Sequence, residues 1–400
     1  MNILFLSRWF PWPPNNGARI RISNLLNGIS SHHTVDLISF VVAGATSDLT
    51  QAGKYCRNVR VIPYEPFEPR RLKALFGFFS PWPRSVLDTH NPAMQQAIAL
   101  ATAKKSYDMV IASQIDMAAY ALEIPNRSAR VRILEEVELT TLYEQQIRES
   151  NALRRLRHRL MWQKWTSYIN YLLARFDGYT AVSEVELQRI ASVLQGKATT
   201  THCSVIPNGI AIAHYAGEFG APKPDTLIYS GALTYGANFD AVDFFLREIW
   251  PRVLAQRPQA HLFVTGRLEG VALDKLPQAP NVTFTGHLPD VRPAIAQSWA
   301  SIVPLRIGGG TRLKILESLA LRTPVIATQK GAEGLQLRPG EDILIADEPQ
   351  AFAGTVLRLL EDAALRRQIG ECGYRTVMSY DWAAVGGRLQ AFFEQILPAE

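Results

Sequence analysis

Short apolar runs recur along the whole chain, and each is separated from the next by a stretch with helical periodicity. That alternation constrains the fold more than any other feature. NILFLS (2–7), TVDLISFV (34–41), DMVIAS (108–113), VRIL (131–134) and GYTAVS (178–183) form one series. TLIYSG (226–231), AHLFVTG (260–266), NVTFTG (281–286), ASIVPL (300–305), TPVIAT (323–328) and DILIA (342–346) form a second. Parallel strands are covered on both faces and joined by helices, so their sequences read as continuous apolar segments rather than alternating ones. Two such series predict two doubly wound α/β domains, a number that suits 400 residues. The stretch VIPNGIAIAHYAGEFGAPKP (205–224) divides them, because it begins with a Pro-Asn-Gly turn and then loses periodicity. The first domain is expected over residues 1–208 and the second over 215–378.

Charge and cysteine usage narrow the function classes. The formal net charge is +6 with a pI near 9.2, which fits an anionic partner or ordinary solubility charge. The three cysteines, Cys56, Cys203 and Cys372, lie far apart and form no C-x-x-C, so neither a disulfide framework nor a zinc site is supported. The start MNILFLSRWFPWPP is broken by Arg8 and then by prolines, so it reads as a first strand and not as a signal peptide. No uncharged apolar run reaches the ~18–20 residues of a membrane span. The expected location is the cytoplasm, with peripheral contact at the inner face of a membrane.

In open α/β sheets ligands bind beyond the carboxyl ends of the strands, so two such domains are expected to face a central cleft lined by strand-end loops. The sharpest loop is RIGGGT, between ASIVPL and RLKILESLAL. Gly308, Gly309, Gly310 and Thr311 offer backbone N–H groups at a helix start, where an anion is favoured. Positions 310, 314 and 317 are spaced to share a helical face, with Leu313, Leu316 and Ala320 on an adjoining stripe. Lys314 then adds a full charge and Glu317 an acceptor, an order that fits a diphosphate followed by a ribose. An ordinary Lys–Glu surface pair after a flexible loop fits too. Near the start, RWFPWPPNNGARIRIS places Gly17, Arg19 and Arg21 at another helix start, as an anion site or as a plain turn. Gly231 in SGALTYGANFDAVDFF, Arg267 after AHLFVTG, and Glu333 in QKGAEGLQ sit at further strand ends.

Residues 151–176 carry six Arg or Lys and no acid, interleaved with leucines and aromatics. Such a helix can lie on an anionic membrane, form a solvated face, or bind an acceptor. The chain has no D-x-D, no His/Cys cluster at metal spacing, no G-x-S-x-G and no nucleic-acid motif, so neither a catalytic metal nor nucleic acid is expected.

With these residues in view, the chain resembles the family-4 retaining glycosyltransferases (GT4) of the two-Rossmann-domain GT-B type, in a subgroup with a GGGTRLKILE motif. The resemblance rests on PPNNGARIRISNLL, GYTAVSEVE, VIPNG, NVTFTGHLPDV, VPLRIGGGTRLKILESLALRTPVIAT and GAEGL, and covers nearly the whole length. It implies a nucleotide-sugar donor on the second domain and an acceptor on the first: a glycan, a lipid-linked glycan or a small molecule. It implies transfer with retention; with no metal motif in the chain, no cofactor or metal is expected. It also implies a closing helix, about 380–400, that packs back on the first domain. Glu317 matches the second glutamate of the family's E-x7-E motif, and Gly17 the glycine of its first-domain loop. The first glutamate falls at Gly309, and GALTYGAN stands where the family has an Arg and a Lys. Arg312 and Lys314 are expected to supply that charge. The family's first-domain His is missing from ILEEVELTTLY, where Glu138 is the candidate polar group. The expected catalytic set is therefore Lys314, Arg312 and Glu138. The expected donor-binding set is Gly17, Arg19, Gly231, Arg267, Gly308, Gly309, Gly310, Thr311, Glu317 and Glu333. A nucleotide-sugar epimerase of the same fold and a degenerate, non-catalytic nucleotide-sugar binder remain as alternatives.

Overall fold

The apolar runs of the first series form β1 (Asn2–Ser7), β2 (Thr34–Val42), β4 (Tyr107–Ser113), β5 (Ala129–Glu135) and β6 (Gly178–Ala181), with β3 (Asn58–Tyr64) and β7 (His202–Val205) at the two edges. In the computed structural model, which describes residues 1–42, 48–140, 142–144, 151–194 and 201–397, all seven pair in parallel in the order β3-β2-β1-β4-β5-β6-β7. The second series forms β8 (Thr226–Ser230), β9 (His261–Thr265), β10 (Val282–Gly286), β11 (Ala300–Val303), β12 (Val325–Ala327) and β13 (Leu344–Ile345). These too are all parallel, in the order β10-β9-β8-β11-β12-β13. Central strands such as β1 and β11 are buried from end to end or nearly so, as sheets covered on both faces require.

The chain divides into two compact units. One is Met1–Pro207 together with the residues from Val385 onward, and the other is Asn208–Ala384. The stretch 205–224 read as a linker joins the second unit from Asn208 on and contains a short 3₁₀ turn, Ile212–Tyr215. The first unit is thus discontinuous. Its closing helix, Trp382–Ile396, buries Leu389, Phe392 and Phe393. That helix runs so close to β6 that a Cβ on Gly178 would lie 2.4 Å from Ile396 Cδ1. His33 Nε2 meets Gln390 Oε1 at 2.7 Å, a second tie between the early chain and its late helix. Of the expected closing segment, residues 398–400 lie outside the described residues.

Helix Ala152–Leu173, within the basic stretch 151–176, is packed in one half only. Its C-terminal half is packed, with Tyr168, Ile169, Leu172 and Leu173 all in the core. In its N-terminal half Arg154, Arg155, Leu156, Arg157, Arg159 and Leu160 are all exposed. In that half four arginines stand among the leucines, and Leu156 and Leu160 are not packed into the core. Among the described residues, no helix is long and apolar enough to cross a membrane.

Candidate functional site

In the second sheet the strand order reverses between β8 and β11, and in open α/β sheets that reversal opens a crevice at the carboxyl ends of the strands. A cavity of about 420 Å³ lies there. It is lined by Gly231 after β8, Gly266 after β9, His287 after β10, and Gly309, Thr311, Lys314 and Glu317 after β11. Every one of these residues belongs to the second unit.

Lys314 is the central charge. Helix Leu313–Ala320 buries Ile315, Leu316 and Leu319, which leaves Lys314 and Glu317 on the cavity side. The Lys314 ammonium donates to Tyr229 Oη (2.9 Å) and Asn238 Oδ1 (3.0 Å), and lies 4.1 Å from the Tyr229 ring centroid. Burial, followed by the nearby Arg312 guanidinium, pushes its pKa down to about 7. Glu317 only partly opposes that shift. Gly231 has φ +155°, and a Cβ there would lie 2.6 Å from Lys314 Nζ, so the missing side chain makes room for the amine. Asn238 lies in the loop-helix segment after β8, which the sequence reads as a turn. It is held in place by donating to Ala232 O (2.8 Å) and accepting from Tyr229 Oη (2.8 Å).

The glycine run has a conformational cause as well. Gly308 and Gly310 adopt φ +97° and +81°, a region L side chains rarely occupy. The helix begins later than the spacing implied, with Arg312 at the N-cap position and no side-chain cap, so Gly310 is not part of the helical face. Leu313 is partly buried, packs against the core of the second domain and also lines the cavity. Arg312 is itself buried and donates to Gly309 O (2.7 Å), Gly308 O (2.7 Å) and Lys330 O (3.2 Å). Its guanidinium thereby ties the glycine loop to the loop after β12. Thr311 Oγ1 accepts from Asn208 Nδ2 at 2.7 Å.

Glu317 accepts from Tyr215 Oη at 3.2 Å. Burial raises its pKa, against the lowering influence of Tyr215 and Lys314. The structure therefore brings together Gly231, Gly309, Thr311, Arg312, Lys314 and Glu317 in one cavity lining. Arg267 is exposed, and its carbonyl accepts from Leu233 N–H (3.0 Å). Glu333 is ion-paired with Lys330. Neither of these two lines the cavity. His287, Asn238, Tyr229 and Tyr215 also belong to this neighbourhood, and no spacing in the sequence marks them. His287 stands in GHLPD, and Asn238 in GANFD, where a turn explained the glycines well enough.

In the first unit Gly17 opens helix Gly17–Ser30, capped by Asn16, whose side chain accepts from Arg19 N–H (3.1 Å). The Arg19 side chain donates to Asn15 Oδ1 (3.3 Å). Arg21 is fully buried, with Nε donating to Glu135 Oε1 (2.8 Å) and NH2 to Ile206 O (2.9 Å). Ser113 Oγ donates to Glu135 Oε2 (2.8 Å). The next residue, Glu136, has φ +61° and accepts from Gln114 Nε2 (3.1 Å), itself at φ +70°. Burial pushes the Glu136 carboxyl up to about 7, helped by Glu135 and Glu138 and opposed by Arg21. Glu138 is half-buried two residues on. Two non-glycine residues with positive φ at adjoining strand ends are the kind of backbone strain that gathers at functional sites. Nothing in ILEEVELTTLY separates Glu136 from Glu138 in advance. Among the described residues, no three His, Cys, Asp or Glu converge as a metal site.

Residues 224–362, which contain the whole cavity lining, match the family Glycosyl transferases group 1. The phosphatidyl-myo-inositol mannosyltransferase of Mycobacterium tuberculosis is 25% identical over 232 residues, covering 54% of this chain and 60% of that protein. Its counterpart in Mycobacterium leprae is 28% identical over 225 residues, covering 54% and 59%. The chain thus spans about three fifths of these relatives. An uncharacterized 44.6 kDa protein of the Klebsiella pneumoniae cps region is 21% identical over 390 residues, covering 92% and 93%. Among solved structures, sucrose-phosphate synthase from Thermosynechococcus elongatus superposes with a TM-score of 0.68 at 17% identity, covering 99% of both chains. Anabaena HepE in complex with UDP does so at 0.68 and 14%, covering 99% and 100%. The chain has the GT-B fold of two Rossmann-like parallel-sheet domains, and its second domain carries the match to the group 1 glycosyl transferases.

Proposed function

We propose that this protein is a retaining glycosyltransferase of the GT4 type. It would move a hexosyl group from a nucleotide-sugar donor to an acceptor hydroxyl without a catalytic metal. The observation that carries the reading is the Lys314–Glu317 cavity at the strand-order reversal of a domain matching group 1 glycosyl transferases. The mycobacterial relatives are named as mannosyltransferases, and HepE has been solved with UDP and with UDP-glucose. In this reading the diphosphate meets the backbone N–H groups of the glycine loop. An ammonium has three N–H donors; Tyr229 and Asn238 engage two, so the third serves a phosphate oxygen. Arg312 acts through the loop, by holding the carbonyls of Gly308 and Gly309 so that the amides face the other way. Glu317 accepts from ribose hydroxyls. Preorganised donors aimed at the leaving diphosphate lower the barrier, and the departing phosphate takes the proton of the acceptor hydroxyl. Polysaccharide or glycolipid synthesis is the setting that suits such a reaction.

A thermal-shift panel of UDP, GDP, ADP and dTDP, followed by transfer assays with matching nucleotide sugars, tests the reading. One diphosphate is expected to stabilise the protein and its sugar conjugate to be consumed only with an acceptor. Saturable binding with no turnover on any acceptor would mark a degenerate binder, and release of an isomerised free nucleotide sugar an epimerase. Glu317→Ala is expected to weaken nucleotide binding about ten- to hundredfold, the worth of a hydrogen bond to a charged group. Calorimetry giving equal affinity for variant and parent removes the ribose contact. Transfer is expected to persist in EDTA. Complete loss that Mn²⁺ or Mg²⁺ restores would overturn the metal-free mechanism.

A further inference from the structure

The N-terminal half of helix Ala152–Leu173 is not alone on its surface. Leu72, Leu75, Phe76, Phe78 and Phe79 are all exposed large hydrophobics within eight residues, and Phe79 is 91% exposed. They form the short helix Leu72–Phe76 and the turn after it. That turn sits against the long helix, because Lys164 Nζ donates to Gly77 O (3.0 Å) and Phe78 O (2.8 Å). Trp82 lies against Tyr168 and Tyr171, with ring centroids 5.1 and 4.8 Å apart. Leu156, Leu160 and Lys164 follow at four-residue steps on one helical face, and Lys164 meets the turn at Phe78, so the exposed leucines lie on the face that adjoins the exposed phenylalanines. A contiguous exposed apolar patch of this kind marks an interaction surface.

Its charge says what the surface fits. Arg70, Lys73, Arg154, Arg157 and Arg159 are exposed around the apolar strip. Arg84 lies over the Phe78 ring at 3.8 Å and donates to Ala74 O and Pro69 O (2.6 and 2.7 Å). Burial, reinforced by Arg157, lowers the Arg84 pKa, and burial with Arg84 lowers that of Lys164. Asp88, ion-paired with Arg71, is the acid that acts on Arg84. Positive charge crowded beside exposed phenylalanines is complementary to a bilayer of anionic lipids, with rings entering the interface and guanidinium groups among the phosphates.

We propose that residues 70–84 and the N-terminal half of helix Ala152–Leu173 form one docking surface for an anionic membrane, with Phe76 and Phe79 as the inserted side chains. The inference stands on this surface and does not depend on the transfer reaction.

Vesicle flotation of the whole chain tests it, using phosphatidylglycerol–phosphatidylcholine vesicles and pure phosphatidylcholine vesicles at low and high salt. The parent is expected to float with the anionic vesicles at low salt and to lose most of that binding at high salt, since the Debye length contracts from ~10 Å at 0.1 M to ~3 Å at 1 M. Arg154→Ser/Arg157→Ser/Arg159→Ser is expected to lower partitioning on the order of a hundredfold, at roughly fivefold per basic residue. Phe76→Ser/Phe79→Ser is expected to lower it about tenfold or more. Circular dichroism and nucleotide thermal shifts equal to the parent's show that both variants are folded. A parent that stays at the bottom of the gradient overturns the proposal, as does either folded variant floating equally with the parent. Self-association of the parent in solution, abolished by the phenylalanine variant and without vesicle binding, assigns the patch to a second copy and also overturns it.

Discussion

Lys314→Met is expected to lower kcat/KM for the proposed sugar transfer by about a hundred- to thousandfold, the cost of removing one preorganised donor from a developing anion. The side chain keeps most of its length and an apolar stem, so the helix Leu313–Ala320 and its buried face are expected to stay as they are. The loss is expected chiefly in kcat, because charge on the leaving diphosphate grows toward the transition state. A pH signature accompanies it. Burial holds the Lys314 pKa down at about 7, so affinity for a nucleoside diphosphate is expected to fall as pH rises through that value. Binding above pH 7 draws a proton onto Lys314, which calorimetry in two buffers of different ionisation enthalpy reads directly. The variant is expected to lose that proton uptake. Unchanged kcat/KM, or proton uptake that survives the substitution, removes Lys314 from the phosphate. The same shift bears on the free protein. Between about pH 7 and the ordinary lysine value of 10.5 the folded chain holds fewer protons at this site than the unfolded chain, so stability contributed here rises with pH through that window.

Arg21→Met destabilises the first domain by about 3–5 kcal/mol, the cost of leaving a buried partner uncompensated. Arg21 and Glu135 are 0% and 1% exposed, and the ion pair closes at 2.6 Å between NH2 and Oε1. Removing the guanidinium also strips Ile206 O of its donor, which unpins the segment leading out of β7. Urea unfolding followed by circular dichroism measures the loss. Arg21→Met combined with Glu135→Leu is expected to recover part of it, since two apolar groups leave no buried charge. A single-variant loss below about 1 kcal/mol would show that water or a neighbour satisfies Glu135, and the pair would then not hold the strand ends together.

Arg21 also shows where reading a sequence stops. It stands in the GARIRIS stretch beside Arg19 and looks like the same kind of residue, yet one is sealed in the core and the other is half-buried beside Asn15. Helical periodicity gives the face but not which charged residue meets a carboxylate more than a hundred positions away. The strands were legible because parallel sheets bury both faces, and their apolar runs have no competing period. β3 gives no such signal for a physical reason: as an edge strand it alternates exposed and buried residues and carries Arg60 and Pro63, which a central strand does not tolerate. Within the glycine loop, spacing marked the right segment and paired Lys314 with Glu317. Spacing alone did not divide the two cations into one that lines the cavity with its amine and one spent on carbonyls. That division depends on a helix starting one residue after Arg312. The positive φ of Glu136 left no trace in residue type at all.

The discontinuity of the first domain sets an order of events during synthesis. Its seven strands leave the ribosome before any of the second domain, but the helix that covers Gly178 and buries Phe392 and Phe393 comes only after it. At ~5–20 residues per second the wait is roughly ten to forty seconds. For that interval the face of β6 at Gly178 lacks the helix that covers it, while the second domain is continuous from Asn208 to Ala384. The domain that begins first is thus the one that finishes last, and its sheet is complete before the helix that covers Gly178 has been made.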